Sequence, residues 1–219
     1  MPTVVLSILS LVRACGQASS VPYDSINGGG PTFTMTRVDQ EYPGSYSTIS
    51  EVNFRNLRFP AFDDSGKQVE WLQLTNGSYQ HDEPNFHSSA SFESVYYLAG
   101  PASIRPDSAL VLLSWSEVGG SSSQGGLAYV FKLAGGHLRL IQALDWDTHF
   151  QTTEPTSAFD QHAKTLVIRT AHYIPGDAHC CVSAMDVITL QWDGTSFAKT
   201  DLKTELSDYG KSEHKELPH

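Results

Sequence analysis

From about residue 34 to residue 202, apolar and polar residues alternate in short runs, and glycine-containing turns interrupt the runs. Four such runs follow one another at Glu93 to Leu98, Ala109 to Trp115, Leu127 to Leu133 and His137 to Leu144. A second set of four occupies Ser157 to Phe159, Leu166 to Thr170, Asp186 to Trp192 and Ser196 to Leu202. Within the first set, Leu127, Tyr129, Phe131 and Leu133 alternate strictly, as a strand with one buried face does. Ala109 to Leu113 is instead a continuous apolar run, which predicts a strand covered on both faces. No segment sustains a 3.6-residue apolar period, so helix is expected to be scarce.

The turns give the runs an order. Asn76-Gly77, Gly135-Gly136 and Asp193-Gly194 are dipeptides that accept positive φ at both central positions of a type I′ hairpin turn. Gly77, Gly136 and Gly194 recur at intervals of 59 and then 58 residues. The pattern predicts an all-β, antiparallel domain over residues 26–206, made of three repeated four-stranded meander units of about 58 residues and either propeller-like or sandwich in form. The first unit would use Thr34 to Val38, Ile49 to Phe59, Val69 to Leu74 and Ser78 to His81, although Gly28-Gly29-Gly30-Pro31 and Pro43-Gly44 crowd its start. Three blades are too few to close a propeller of the usual four to eight. Tyr129, Phe131 and Trp192 are assigned to the core, and residues 207–219 to a polar, solvated tail.

The first 25 residues differ from the rest. Val4 to Val12 is an apolar run well short of the roughly 20 residues that a membrane-spanning helix needs. It leads into Ala14-Cys15-Gly16, which resembles a bacterial lipoprotein cleavage site, so residues 1–25 read as an export signal or lipoprotein leader with tether, and Cys15 as the lipidated residue. Arg13 and a start without Lys or Arg depart from that pattern, and the alternative is a hydrophobic N-terminal strand. The expected location is periplasmic, cell-surface or secreted, with the membrane reached only through the anchor at Cys15. Charge narrows the partners. With 14 Lys and Arg against 24 Asp and Glu, the net charge of −10 opposes a phosphate backbone, and nucleic acid is excluded as an expected partner.

In a meander, the tight turns fall at one end and the longer connections at the other. The longer ones carry the chemistry: Phe62 to Gly66, His81 to His87, Glu117 to Gly126, Asp145 to His149 and His172 to Cys181. A rigid scaffold commonly presents binding groups on the loops of one end. Trp146, His149, Tyr173 and Asp177 are the expected ligand contacts, with Trp146 and Tyr173 as the exposed aromatic pair. His172, His179, Cys180 and Cys181, with Asp177 between them, offer imidazole, thiolate and carboxylate to a transition metal, but their spacing matches no zinc pattern. The adjacent Cys180 and Cys181 read equally as a strained disulfide clip or as two buried thiols.

Two catalytic arrangements can be drawn. Ser121, Ser122 and Ser123 lie in a glycine-bounded loop that lacks a nucleophile elbow, and its composition suits a connector better. Asp145 and Asp147 flank Trp146 as an acid pair of the kind a glycosidase uses, but successive strand residues face opposite ways and a solvated turn is the favoured reading. No complete catalytic or cofactor motif appears. The expectation is an exported, lipid-anchored, non-catalytic β-domain that binds a ligand or protein partner through one end of its sheets. A metal-assisted or acid-base hydrolase using His and Asp of the same loops is the alternative.

Overall fold

The computed structural model describes residues 33–63, 65–100, 105–118, 123–148, 155–174, 176–177, 182–213, 215 and 217. Strands dominate them: β1 (Phe33–Glu41), β2 (Arg58–Phe62), β3 (Gln68–Gln73), β4 (Ser78–Glu83), β5 (Phe86–Leu98), β6 (Ser108–Val118), β7 (Ser123–Ala134), β8 (His137–Asp147), β9 (Ser157–Asp160), β10 (Thr165–His172), β11 (Ala184–Trp192) and β12 (Phe197–Leu206). Two 3-10 turns, Ile49–Glu51 and Phe54–Asn56, and one short helix, α1 (Asp208–Ser212), complete the regular structure. Every strand pairing is antiparallel and none of the described sheets closes on itself.

Strands β5 to β8 run as a consecutive meander, and so do β9 to β12. The residues expected to make a first meander do something else. β1 pairs with β8, β4 pairs with β5, and these two form the outer edges of a six-stranded sheet ordered β1-β8-β7-β6-β5-β4. β2 and β3 form a separate hairpin, and part of the expected strand Ile49 to Phe59 is taken by the two 3-10 turns. Nothing local fixes the partner of a lone strand, and β1 finds its partner about a hundred residues downstream.

The layers follow from side-chain parity. On β6, Ala109, Val111 and Leu113 face the β2–β3 hairpin, while Leu110 and Leu112 face the four-stranded sheet β12-β11-β10-β9. Both faces are thus covered, which is why the run is continuously apolar. On the hairpin side, Phe54, Phe59, Tyr129 and Phe131 pack with tilted and edge-on rings. The Tyr129 hydroxyl donates to the Pro60 carbonyl at 2.8 Å and ties the hairpin to the sheet. On the other side, Leu144, Trp146, Ile168, Ile188, Leu190, Trp192 and Phe197 form the sandwich core. Tyr129, Phe131 and Trp192 are buried as expected.

The turns differ in detail. Asn76 and Gly77 have φ of 53° and 90°, and Gly135 and Gly136 have 59° and 83°, as a type I′ turn requires. At the third turn only Gly194 is left-handed, at 100°. The Asp193 carboxylate accepts the N–H groups of Thr195 and Ser196, making a wider loop between Trp192 and Phe197. The expected solvated tail also begins in contact with the fold. Ser207 donates to the Val182 carbonyl and caps α1 by accepting from the Gly210 N–H, while Gly210 lies against the Ser183 backbone so closely that a Cβ would come within 1.9 Å of its carbonyl oxygen.

Candidate functional site

The β2–β3 hairpin does not cover the whole face of the six-stranded sheet. Toward the C-terminal end of β6, it leaves a cleft of about 190 Å³. The hairpin contributes Ala61, Phe62, Val69, Glu70 and Leu72; the sheet contributes Tyr79, Ser88, Trp115, Glu117, Leu127 and Asp145. Strand register explains the grouping. Trp115, Gly125 and Asp147 are directly opposed across β6, β7 and β8, and Leu113, Leu127 and Asp145 form the next rung. Alternate residues share a face, so Trp115 and Glu117 project with Asp145 and Asp147. The Trp115 indole lies over Gly125, where a Cβ would come within 2.8 Å of its Nε1.

All charged side chains lining the cleft are acidic. Burial pushes the Glu117 carboxyl up from its ordinary value, and the charges of Glu70 and Asp147 push it further. The Tyr79 hydroxyl donates to the Glu70 carboxylate. Its phenol is pushed up to about 12, by burial first and then by that bond and the Glu70 charge. Chemically, the cleft offers an aromatic surface, several carboxylates and an apolar hairpin wall.

A second polar group lies on the opposite side of the six-stranded sheet, on the four-stranded sheet near the Thr170–Asp147 link. His172 at the close of β10 has Nδ1 3.1 Å from Oδ2 of Asp186 on β11, and the Thr204 hydroxyl donates to the other oxygen of that carboxylate at 2.6 Å. The bond to Asp186 raises the His172 pKa, burial opposes the rise, and the charges of Asp186 and Asp177 add to it. The Thr170 hydroxyl donates to the Asp147 carbonyl at 2.9 Å and links the two sheets there.

The expected site residues fare unequally. Trp146 is only 2% exposed, which corrects its assignment as an exposed ligand contact. Asp145 and Asp147 point toward the hairpin, so the intervening Trp146 points into the sandwich and lies over Gly126. The aromatic residue between the acid pair therefore does not line the acids' face; Trp115 does. Tyr173 is half-buried against Ala171, Val182 and Met185. Asp177 accepts the backbone N–H groups of Ile174 and Ser183, each at 3.0 Å, and the Ser183 hydroxyl, so its carboxylate holds the β10–β11 loop together. His172 pairs with Asp186, a residue the sequence pattern assigned only to a strand.

His149, His179, Cys180, Cys181, Ser121, Ser122 and Cys15 lie outside the described residues, as does the side chain of Ser123. Among the described residues, no three His, Cys, Asp or Glu side chains converge on a point that could hold a metal ion. Gly125 and Gly126, expected in a flexible connector, belong to β7. Glu70, Tyr79 and Glu117 were not singled out from the sequence; the available signal was parity, Trp115 and Glu117 being two apart on one strand and Asp145 and Asp147 two apart on another.

Fold and cleft together define an all-β protein of layered antiparallel sheets with an acidic, aromatic cleft at one end. No protein-family model matches the chain, and no curated protein or solved structure matches it either.

Proposed function

We propose that this protein is an exported, non-catalytic β-domain that binds a ligand through the loop-rich end of its sheets, with the cleft between the β2–β3 hairpin and the six-stranded sheet as the binding site. The observation that carries the reading is the cleft itself: about 190 Å³ of concave space, walled by an aromatic ring, apolar side chains and the carboxylates of Glu70, Glu117 and Asp145. Binding sites commonly combine such apolar walls with a few placed polar groups. Export and attachment through Cys15 belong to the same proposal and rest on the apolar run before that residue. So does descent of the two meanders from one repeated unit, supported by their shared strand order and the 58-residue spacing of Gly136 and Gly194.

The test is a thermal-shift screen of the purified domain against organic amines, neutral sugars and capped dipeptides, repeated with Trp115→Ala. At least one class is expected to raise the melting temperature saturably in the wild type and not in the variant. A screen in which no class does so would remove the support for a binding module.

One observation favours an acid-base hydrolase as the second reading. Burial, and then the charges of Glu70 and Asp147, push the Glu117 carboxyl up, which is the direction a general acid needs, and further carboxylates share its cleft. Turnover of chromogenic glycosides that Glu117→Gln abolishes would favour the hydrolase over the binding module.

A further inference from the structure

The chemistry of the cleft goes further than its existence. We propose that its ligand presents an organic ammonium group, held against the Trp115 ring and among the carboxylates of Glu117, Glu70 and Asp145. This deepens the binding reading above and rests on it.

Sign of charge is the first argument. Among the residues lining the cleft, Glu70, Glu117 and Asp145 carry the formal charges, and there is no lysine, arginine or histidine with them. An anionic ligand would meet three like charges. A neutral sugar could hydrogen-bond but would leave the crowding at Glu117 in place. A cation relieves it, because the burial and neighbouring charges that push the Glu117 carboxyl up are opposed by a positive charge at the same point.

The kind of cation follows from the walls. A bare metal ion needs several oxygen ligands at short range. No three acidic, histidine or cysteine side chains among the described residues converge closely enough to supply them. What the cleft offers instead is spread over about 190 Å³, with Phe62, Leu72 and Leu127 as apolar surface and the Trp115 indole as a π face. Alkyl substituents suit the former, and a cation is drawn to the latter by the ring quadrupole. The space is on the order of six water volumes, which fits a small amine or the end of a longer chain.

Two sources share this chemistry, a free alkylammonium ion and the lysine side chain of a peptide. The experiment is isothermal titration calorimetry of the whole domain at pH 7.5 and low salt. The probes are n-butylammonium chloride, tetramethylammonium chloride, capped Ala-Lys-Ala, and 1-butanol as the neutral control. At least one cationic probe is expected to bind one-to-one with a dissociation constant of about 1 mM or tighter. Binding should weaken at least tenfold in Glu117→Gln and in Glu70→Gln, and it should weaken with added salt and as pH falls and Glu117 gains its proton. Unchanged melting temperatures of the two variants would show that the loss is not unfolding.

Tighter binding of Ala-Lys-Ala than of n-butylammonium would support the site and assign its source as a peptide lysine. The reverse order would support it as a site for a free amine. Equal binding of 1-butanol and n-butylammonium, or ammonium binding that both variants leave unchanged, would overturn the ammonium inference while leaving a binding cleft. Binding of a neutral sugar from the thermal-shift screen with no ammonium binding would have the same meaning. Failure of every probe and every ligand of that screen would overturn the binding reading as well.

Discussion

Asp186 is 1% exposed, and a carboxylate buried that deeply is tolerated only when donors meet both of its oxygens. His172 and Thr204 are those donors. Because folding raises the His172 pKa above its ordinary 6.5, the folded state binds that proton more tightly than the unfolded chain. The contribution to stability is complete below pH 6.5 and fades as pH rises through the higher folded value. The charged groups acting on the ring are Asp186 from β11 and Asp177 from the β10–β11 loop, and both act in the same direction. Urea denaturation should therefore show lower stability at pH 8.5 than at pH 6, and His172→Gln should remove most of that difference. Asp186→Ala should cost about 2–3 kcal/mol at pH 6, since two hydrogen bonds to a charged acceptor are lost. Equal wild-type stability at the two pH values would show that the pair is not coupled to folding. Asp186 was legible only as a strand residue, because its partner lies on a neighbouring strand and parity alone does not distinguish a buried Asp from a solvated one.

At the scale of one element, β7 shows why two glycines can be essential to a strand. Gly125 and Gly126 face opposite sides of the sheet, each lies beneath a tryptophan, and a Cβ at Gly126 would come within 2.0 Å of the Trp146 ring. The indole N–H groups of Trp115 and Trp146 are buried without a hydrogen-bond partner among the described residues. An orphaned donor costs about 1–3 kcal/mol. Burying an aromatic ring removes about 150–250 Å² from water and, at about 25 cal/mol per Å², contributes about 4–6 kcal/mol. Packing wins, and glycine permits it. Gly126→Ala should destabilise the protein by about 1–3 kcal/mol through overpacking. Combined with Trp146→Phe, its further cost should be smaller than in the wild-type background, because the two positions share one space. Strictly additive losses in chemical denaturation would refute the contact. A glycine-serine run has no apolar pattern, so from sequence this stretch reads as a connector. The Leu127 to Leu133 part of β7 and the strands around it in the two meanders were legible, by contrast, because alternating or continuous apolar runs there are bounded by turn residues.

The whole molecule is held by contacts that no local pattern encodes. β1 closes one edge of the six-stranded sheet against β8, and β4 closes the other, so the segments expected to form a first unit are divided between two edges and a covering hairpin. The cleft exists because that hairpin is shorter than the sheet beneath it, and its lining is gathered from β2, β3, β4, β5, β6, β7 and β8. A sequence pattern shows which way each residue faces; it does not show which strands will be neighbours. The two large sheets are joined in the same non-local way. Gln142 on β8 donates through Nε2 to the Phe197 carbonyl at 2.9 Å and accepts the Phe197 N–H at 2.8 Å, and both residues are buried. With the apolar cluster around this clamp drawing side chains from both sheets, neither sheet keeps its inner face covered if the other unfolds. The domain should therefore unfold in one cooperative transition, with far-UV circular dichroism and tryptophan fluorescence coinciding. Gln142→Ala leaves the Phe197 backbone groups without this partner and should lower stability by about 2–4 kcal/mol. The loss should appear as a shift of the entire urea transition. Two separated steps in the wild type would show that the sheets are independent units, and a Gln142→Ala transition at the wild-type urea midpoint would show that the clamp adds nothing to the seam.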